Sequence, residues 1–203
     1  YTGTGVNAND IFNPANAGVG SHTITYIYSS LGCSDTATGT LTVHALPVVS
    51  FSTLPATCLN TPAYLLSGGS PSGGTYTGTA VSGNEFSPST AGVGNFILTY
   101  GYTNSNGCSA SDTSMVHVNG LPTVSFSTLP TVCQNTGPVA LSQGSPAGGT
   151  YSGPGVGGTT FYTGIAGAGT HSLVYTYHDA NNCSNTATQN IVVNPIPVVS
   201  LGA

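Results

Sequence analysis

No lysine and no arginine occur anywhere in the 203 residues. An average domain is about one-quarter charged, so the side chains that neutralise phosphate are missing as a class. Nucleic acid is excluded as a partner on that ground, and nucleotide phosphates and anionic membrane surfaces go with it. Tryptophan is absent too, and the five acids, Asp10, Asp35, Glu85, Asp112 and Asp179, are scattered along the chain. No apolar run approaches the ~18 residues of a spanning helix, so membrane insertion is not expected. No signal-peptide pattern is visible either. Without lysine, neither a Lys–Asn isopeptide crosslink nor a side-chain salt bridge to Lys or Arg can stiffen the fold. Rigidity must come from sheet hydrogen bonds, apolar packing and disulfides, and trypsin has no site to cut.

What the chain does have is a repeat. VVSFSTLP at Val48 to Pro55 returns as TVSFSTLP at Thr123 to Pro130, an offset of 75 that also relates Cys58 to Cys133 and links Cys33, Cys108 and Cys183. Laying 48–122 over 123–197 without a gap gives 36 identities. Residues 1–47 align with 76–122, a partial unit without the N-terminal strands, and 198–203 match the first strand of a further unit. The expectation is a window on a longer array. The joints fall at Leu46-Pro47, Leu121-Pro122 and Ile196-Pro197, where proline favours extended, stiff backbone over a flexible tether. An extended rod of domains follows from this reading.

No stretch carries helical periodicity, whereas alternating runs recur. The clearest is Phe96, Leu98, Tyr100 and Tyr102, with counterparts His22, Ile24, Tyr26, Tyr28 and His171, Leu173, Tyr175, Tyr177. This face is expected to point inward. A turn, a cysteine and a second alternating run follow, making a hairpin at the end of each unit. Earlier in the unit, VSFS, Leu65-Leu66, Thr75-Tyr76-Thr77 and Phe86 read as short strands between Gly, Pro and Ser clusters. Six or seven strands in such a unit predict a small antiparallel sandwich. A unit this small calls for a covalent staple. The repeat suggests Cys58 with Cys108 and Cys133 with Cys183, leaving Cys33 without a partner. A metal reading lacks any C-x-x-C pair or matching histidine, and disulfides imply an oxidising compartment.

The succession VSFSTLPxxCxNT, SPxGGTYxG, F...AGxGxHxxxYxY, a turn ending in Cys and a final strand before xLP resembles the Ig-like repeats of very large Bacteroidota surface proteins. Those are adhesin-like or gliding-associated proteins exported by the type IX system. The resemblance covers the whole chain. It implies an all-β fold of tandem Ig-like antiparallel β-sandwiches, a location outside the cell or on its surface, and O-glycosylation at Thr36 in Asp35-Thr36-Ala37. Thr113 after Asp112 fits that pattern less well. True immunoglobulin domains differ, since Cys58 precedes Leu65-Leu66, so the disulfide should clip one end of the sandwich.

Candidate chemistry is sparse. Gly153 to Gly158 matches G-x-G-x-x-G in letters, but Thr159-Thr160-Phe161-Tyr162 follows instead of a helix. His22 and His171 align with Phe96, which points to ring packing. Calcium needs several converging oxygens, yet no acid recurs between units, and no cofactor is expected. Asp179, Asn181 and Asn182 are the least poor calcium candidates. Nine of the eleven tyrosines occupy framework positions, so Tyr64 and Tyr162 remain as candidate exposed aromatics for a sugar. The expectation is a non-enzymatic structural segment of a surface filament or adhesin stalk that associates with itself. A module binding surface glycans is the alternative, and a spacer of a secreted enzyme the third reading.

Overall fold

The computed structural model describes residues 1–200. Of the further strand expected over 198–203, residues 201–203 lie outside the described residues, and Val198 to Ser200 carry no strand. Among the described residues the chain is all-β apart from three one-turn helices, Pro14–Ala17, Pro88–Ala91 and Thr163–Ala166. Those turns are an addition to the sequence reading. Each ends on a glycine with positive φ, Gly18, Gly92 or Gly167, and two start with proline at the helix N-terminus, where its missing N–H costs nothing. No helix among the described residues is long and apolar enough to cross a membrane.

Two compact units result, and their boundaries do not follow the sequence repeat. One comprises Tyr1–Leu54, Leu65–Glu85 and Ile97–Met115; the other comprises Pro55–Tyr64, Phe86–Phe96 and the chain from Val116 onward. In the first, Gly20–Ser30 and Cys33–Val43 form an antiparallel hairpin closed at Ser30 and Cys33 by Leu31 and Gly32, both at positive φ. Ser50–Phe51 pairs with Gly69–Ser70, and Thr75–Gly78 lies antiparallel to Leu98–Gly101. Phe51, Leu66, Leu98 and Tyr100 are buried there.

The second unit holds the whole repeat 123–197. Its four-stranded sheet runs Val132–Cys133, Ser184–Asn194, Gly169–His178, Thr150–Ser152. A three-stranded sheet orders Pro138–Ala140, Thr160–Tyr162, Val156–Gly157, and Ser125–Phe126 pairs with Gly144–Ser145. Phe126, Leu141, Phe161, Leu173, Tyr175, Ile191 and Val193 fill the space between them. The alternation on this hairpin therefore points inward as expected, with Leu173 and Tyr175 buried, whereas in residues 1–47 the counterparts Tyr26 and Tyr28 are exposed. There are more strands than the six or seven predicted, and most are only two or three residues long because Gly, Pro and Ser interrupt them.

One pairing was invisible in the sequence pattern. Val132–Cys133 runs parallel to the end of the last strand, with Cys133 opposite Asn194. Likewise Cys58 lies opposite Asn119. Each turn cysteine, Cys183 or Cys108, immediately precedes the start of that same 11-residue strand. At ~3.3 Å per residue the two cysteines of one repeat therefore sit at opposite ends of a strand about 35 Å long. A disulfide needs Cα atoms within about 7 Å, so the expected bridges Cys58–Cys108 and Cys133–Cys183 are corrected. The bond observed is Cys58–Cys183, with a Cα–Cα distance of 5.5 Å. Cys33, Cys108 and Cys133 are thiols.

Candidate functional site

The disulfide ties the repeat 48–122 to the repeat 123–197. On one side, Leu59 N–H donates to Asn119 O at 2.9 Å and Cys58 N–H to Thr61 Oγ1 at 3.2 Å, which seat Cys58 against the end of the last strand. On the other, Asp179 Oδ1 accepts from Asn181 N–H at 2.9 Å and from Cys183 N–H at 2.8 Å. That carboxylate closes the turn and aims Cys183, whose side chain is fully buried. Asn60 Nδ2 then donates to Ser184 O at 3.1 Å, and Asn185 Nδ2 donates to Pro122 O at 3.0 Å. Pro122, the disulfide and two side-chain amides meet where the two sequence repeats adjoin, inside one compact unit.

This geometry also gives the calcium candidates a role. Asp179 and Asn181 belong to the turn, and Asn182 supplies its positive φ of 62°. The sister turn uses Asn104, whose Oδ1 accepts from Asn106 N–H and Cys108 N–H at 3.0 Å each. A neutral amide does the same work as the carboxylate, because what the turn needs is an acceptor oxygen.

Tyrosine carries the other recurring constellation. Tyr151 and Tyr175 have ring centroids 4.7 Å apart, and Phe126 stands 5.4 Å from Tyr151; Tyr76, Tyr100 and Phe51 repeat this at 4.7 and 5.2 Å. Around Tyr175 the Ser-Pro-x-Gly-Gly loop wraps closely. Gly149 N–H donates to Tyr175 Oη at 2.7 Å, Tyr175 Oη donates to Pro146 O, and Gly144 N–H donates to Tyr151 Oη at 2.9 Å. A Cβ on Gly144, just ahead of this motif, would lie 2.5 Å from the Tyr175 ring and one on Gly149 would also press on Tyr175, so these two glycines are required by contact with the tyrosine, whereas Gly148 meets nothing and supplies a positive φ of 98°.

Residues 1–47 contain no such loop. Tyr26 is accordingly 42% exposed where Tyr100 and Tyr175 are 2% and 1%. Tyr1, Ile24, Tyr26 and Leu41 line an open apolar groove on this hairpin.

The two candidate exposed aromatics separate. Tyr64 is corrected: it packs edge-on against Phe86 at 5.9 Å, and its buried hydroxyl has no hydrogen-bond partner. Burial pushes its pKa above the ordinary phenol value. The folded chain thus holds this proton more tightly than the unfolded chain, so stability is intact below about pH 10 and falls as pH rises toward the folded pKa. Tyr64→Phe is expected to raise stability by about 1 kcal/mol, since it removes an unpaired buried hydroxyl, and to flatten the alkaline loss. Guanidinium unfolding at pH 7 and pH 11 measures both. Tyr162 is 39% exposed, and its ring lies over Gly157.

Thr36 and Thr113 are both exposed on strands, each donating its N–H to the preceding aspartate at 2.8 Å. Asp112 also accepts from Phe51 N–H at 2.8 Å, which ties the last strand to the first. The histidine bonds run from His22 and His171 Nε2 to Gly18 O and Gly167 O, at 2.8 and 2.9 Å, and between His117 Nδ1 and Asn95 Oδ1. His171 stands 6.0 Å from Phe161 and His22 6.2 Å from Phe12. These are packing contacts, as the alignment with Phe96 suggested.

Sheets and core together define the class: an all-β chain of repeated small β-sandwich units, with a disulfide between two consecutive sequence repeats. No protein-family model matches the chain, and no curated protein matches it. Among solved structures it is similar to a Ca2+-stabilized adhesin that helps an Antarctic bacterium bind ice, at 15% identity and TM-score 0.36, over 95% of this chain and 62% of that one. It is also similar to the insect immune protein hemolin, at 12% identity and TM-score 0.29 over 86% and 56%. For the immunoglobulin domains 1–5 of Sidekick-1 the values are 14%, 0.28, 95% and 50%. The chain spans less than two-thirds of each. These TM-scores lie below 0.5, so the architecture rests on the sheets of the chain itself.

Proposed function

We propose that the chain is a non-catalytic structural stretch of an extracellular filament or adhesin stalk, built from Ig-like repeats arranged as a rod. The observation that carries this reading is the Cys58–Cys183 bond, which fastens one repeat to the next. A bond placed there restrains a joint, and joint stiffness is what a stalk needs. The oxidising compartment that such a bond requires supports a location outside the cell. Low charge supports self-association, because little mutual repulsion keeps copies apart. The resemblance to Bacteroidota type IX cargo belongs to the same proposal, as does glycosylation of Thr36.

Small-angle scattering and negative-stain imaging of the oxidised and reduced chain test the reading. The oxidised chain is expected to be a stiff elongated particle whose maximum dimension becomes heterogeneous on reduction. A compact particle indifferent to reductant would remove the stalk reading. Signal on a glycan array, lost in Tyr162→Ala, would favour a recognition module instead.

A further inference from the structure

Both halves of the joint recur in the chain without a mate. The half that receives a turn consists of Cys58, Leu59 and Asn60 beside Asn119. It returns at Cys133, Gln134 and Asn135 beside Asn194, with Gln134 N–H donating to Asn194 O at 2.9 Å and Cys133 N–H donating to Thr136 Oγ1 at 3.0 Å. Cys133 is an exposed thiol. The half that enters is the turn Asp179 to Cys183, and its twin is Asn104 to Cys108. In both turns the first residue's N–H donates to the cysteine carbonyl at 2.9 Å and its side-chain oxygen accepts from the cysteine N–H. Asn104 Nδ2 also reaches Ala45 O at 3.4 Å, in the segment ahead of its own repeat, as Asn185 reaches Pro122. The twin turn is therefore seated at a joint as well.

We propose that Cys133 is a covalent docking site for one further repeat of this kind. The turn cysteine of that repeat would stand to Cys133 as Cys183 stands to Cys58. Cys108 is the complementary site, for a repeat placed ahead. Strand length excludes the alternative within a repeat, since Cys133 and Cys183 lie at opposite ends of Ser184–Asn194. Cys33 falls outside the rule: it follows a two-residue turn, Leu31-Gly32, with no Asn or Asp to close it. The bond forms by exchange with a small-molecule disulfide. Two thiols lose two protons and two electrons, the S–S bond joins the repeats, and the small disulfide is reduced to two thiols. This goes beyond the stalk reading and needs only the repeat.

The test inserts a second copy of residues 123–197 directly after Pro197 in the full chain. The product is oxidised with oxidised glutathione, alkylated, cut with chymotrypsin and mapped by mass spectrometry. Cys133 is expected to be bonded to the turn cysteine of the inserted copy, with its alkylation lost, Cys58–Cys183 retained and a new thiol at the first cysteine of the insert. A bond between the insert's own two cysteines would overturn the proposal. So would an alkylated Cys133 beside a free turn cysteine, whether hydrogen exchange finds the insert folded or not. In Cys133→Ser of the same extended chain, the inserted turn cysteine is expected to become alkylatable. Continued protection there would also count against the proposal. If the unextended chain also proves compact, the stalk reading fails while the docking rule stands or falls by the map alone.

Discussion

Cys58→Ser is expected to cost about 5 kcal/mol of stability under oxidising conditions, whereas Cys108→Ser and Cys133→Ser leave it within about 0.5 kcal/mol. The first figure follows from the loop that the bond closes: the two cysteines are 125 residues apart, and closing so long a loop removes much freedom from the unfolded chain. The contrast between variants is the informative part. Bridges within repeats would make Cys108→Ser as damaging as Cys58→Ser, and Cys133→Ser as damaging as a change at Cys183. Guanidinium unfolding followed by circular dichroism, with and without reductant, measures this. Reduced wild type and reduced Cys58→Ser should then unfold together.

The second large effect is at the tyrosine clasp. Tyr175→Ala is expected to cost about 3–5 kcal/mol, in the range for removing a buried aromatic ring. Tyr175→Phe keeps the ring but leaves the part-buried Gly149 N–H and Pro146 O without their partner, for about 1 kcal/mol. Gly149→Ala attacks the same place from the other side, since its Cβ would meet Tyr175 Oη at 2.5 Å and press on Thr176 O. Overpacking of that kind costs about 1–3 kcal/mol. Because the three substitutions share one contact, the double variant Gly149→Ala with Tyr175→Ala should lose clearly less than the sum. Additivity, read from chemical denaturation, would mean that the glycine serves the loop backbone alone.

Much of this fold is legible in the residues. Alternation places Leu98, Tyr100, Leu173 and Tyr175 inside, and the VSFS and Gly-Gly-Thr-Tyr strings become strands where expected. The alignment of His22 and His171 with Phe96 anticipates rings in packing contacts. What escapes is long-range and lies in segments too short for a pattern. A two-residue strand such as Thr57–Cys58 has no periodicity, and only its pairing with Val118–Asn119 reveals that Cys58 sits at the far end of a long strand from Cys108. The offset sorts the cysteines into two classes but does not say which member of one class meets which member of the other. Tyr64 escapes for a related reason. It aligns with Val139, so it looked like a surface addition, whereas both occupy a strand beside a buried phenylalanine, Phe86 or Phe161.

The placement of the bond has a mechanical consequence. When the chain is drawn out by its ends, tension arriving at Cys58 passes through the sulfur pair straight to Cys183. The intervening 125-residue separation, a contour of about 400 Å at ~3.3 Å per residue, is folded into the strands of both repeats and lies outside the load path. A pulled strand of this material lengthens by that amount only after a reductant has cut the shortcut.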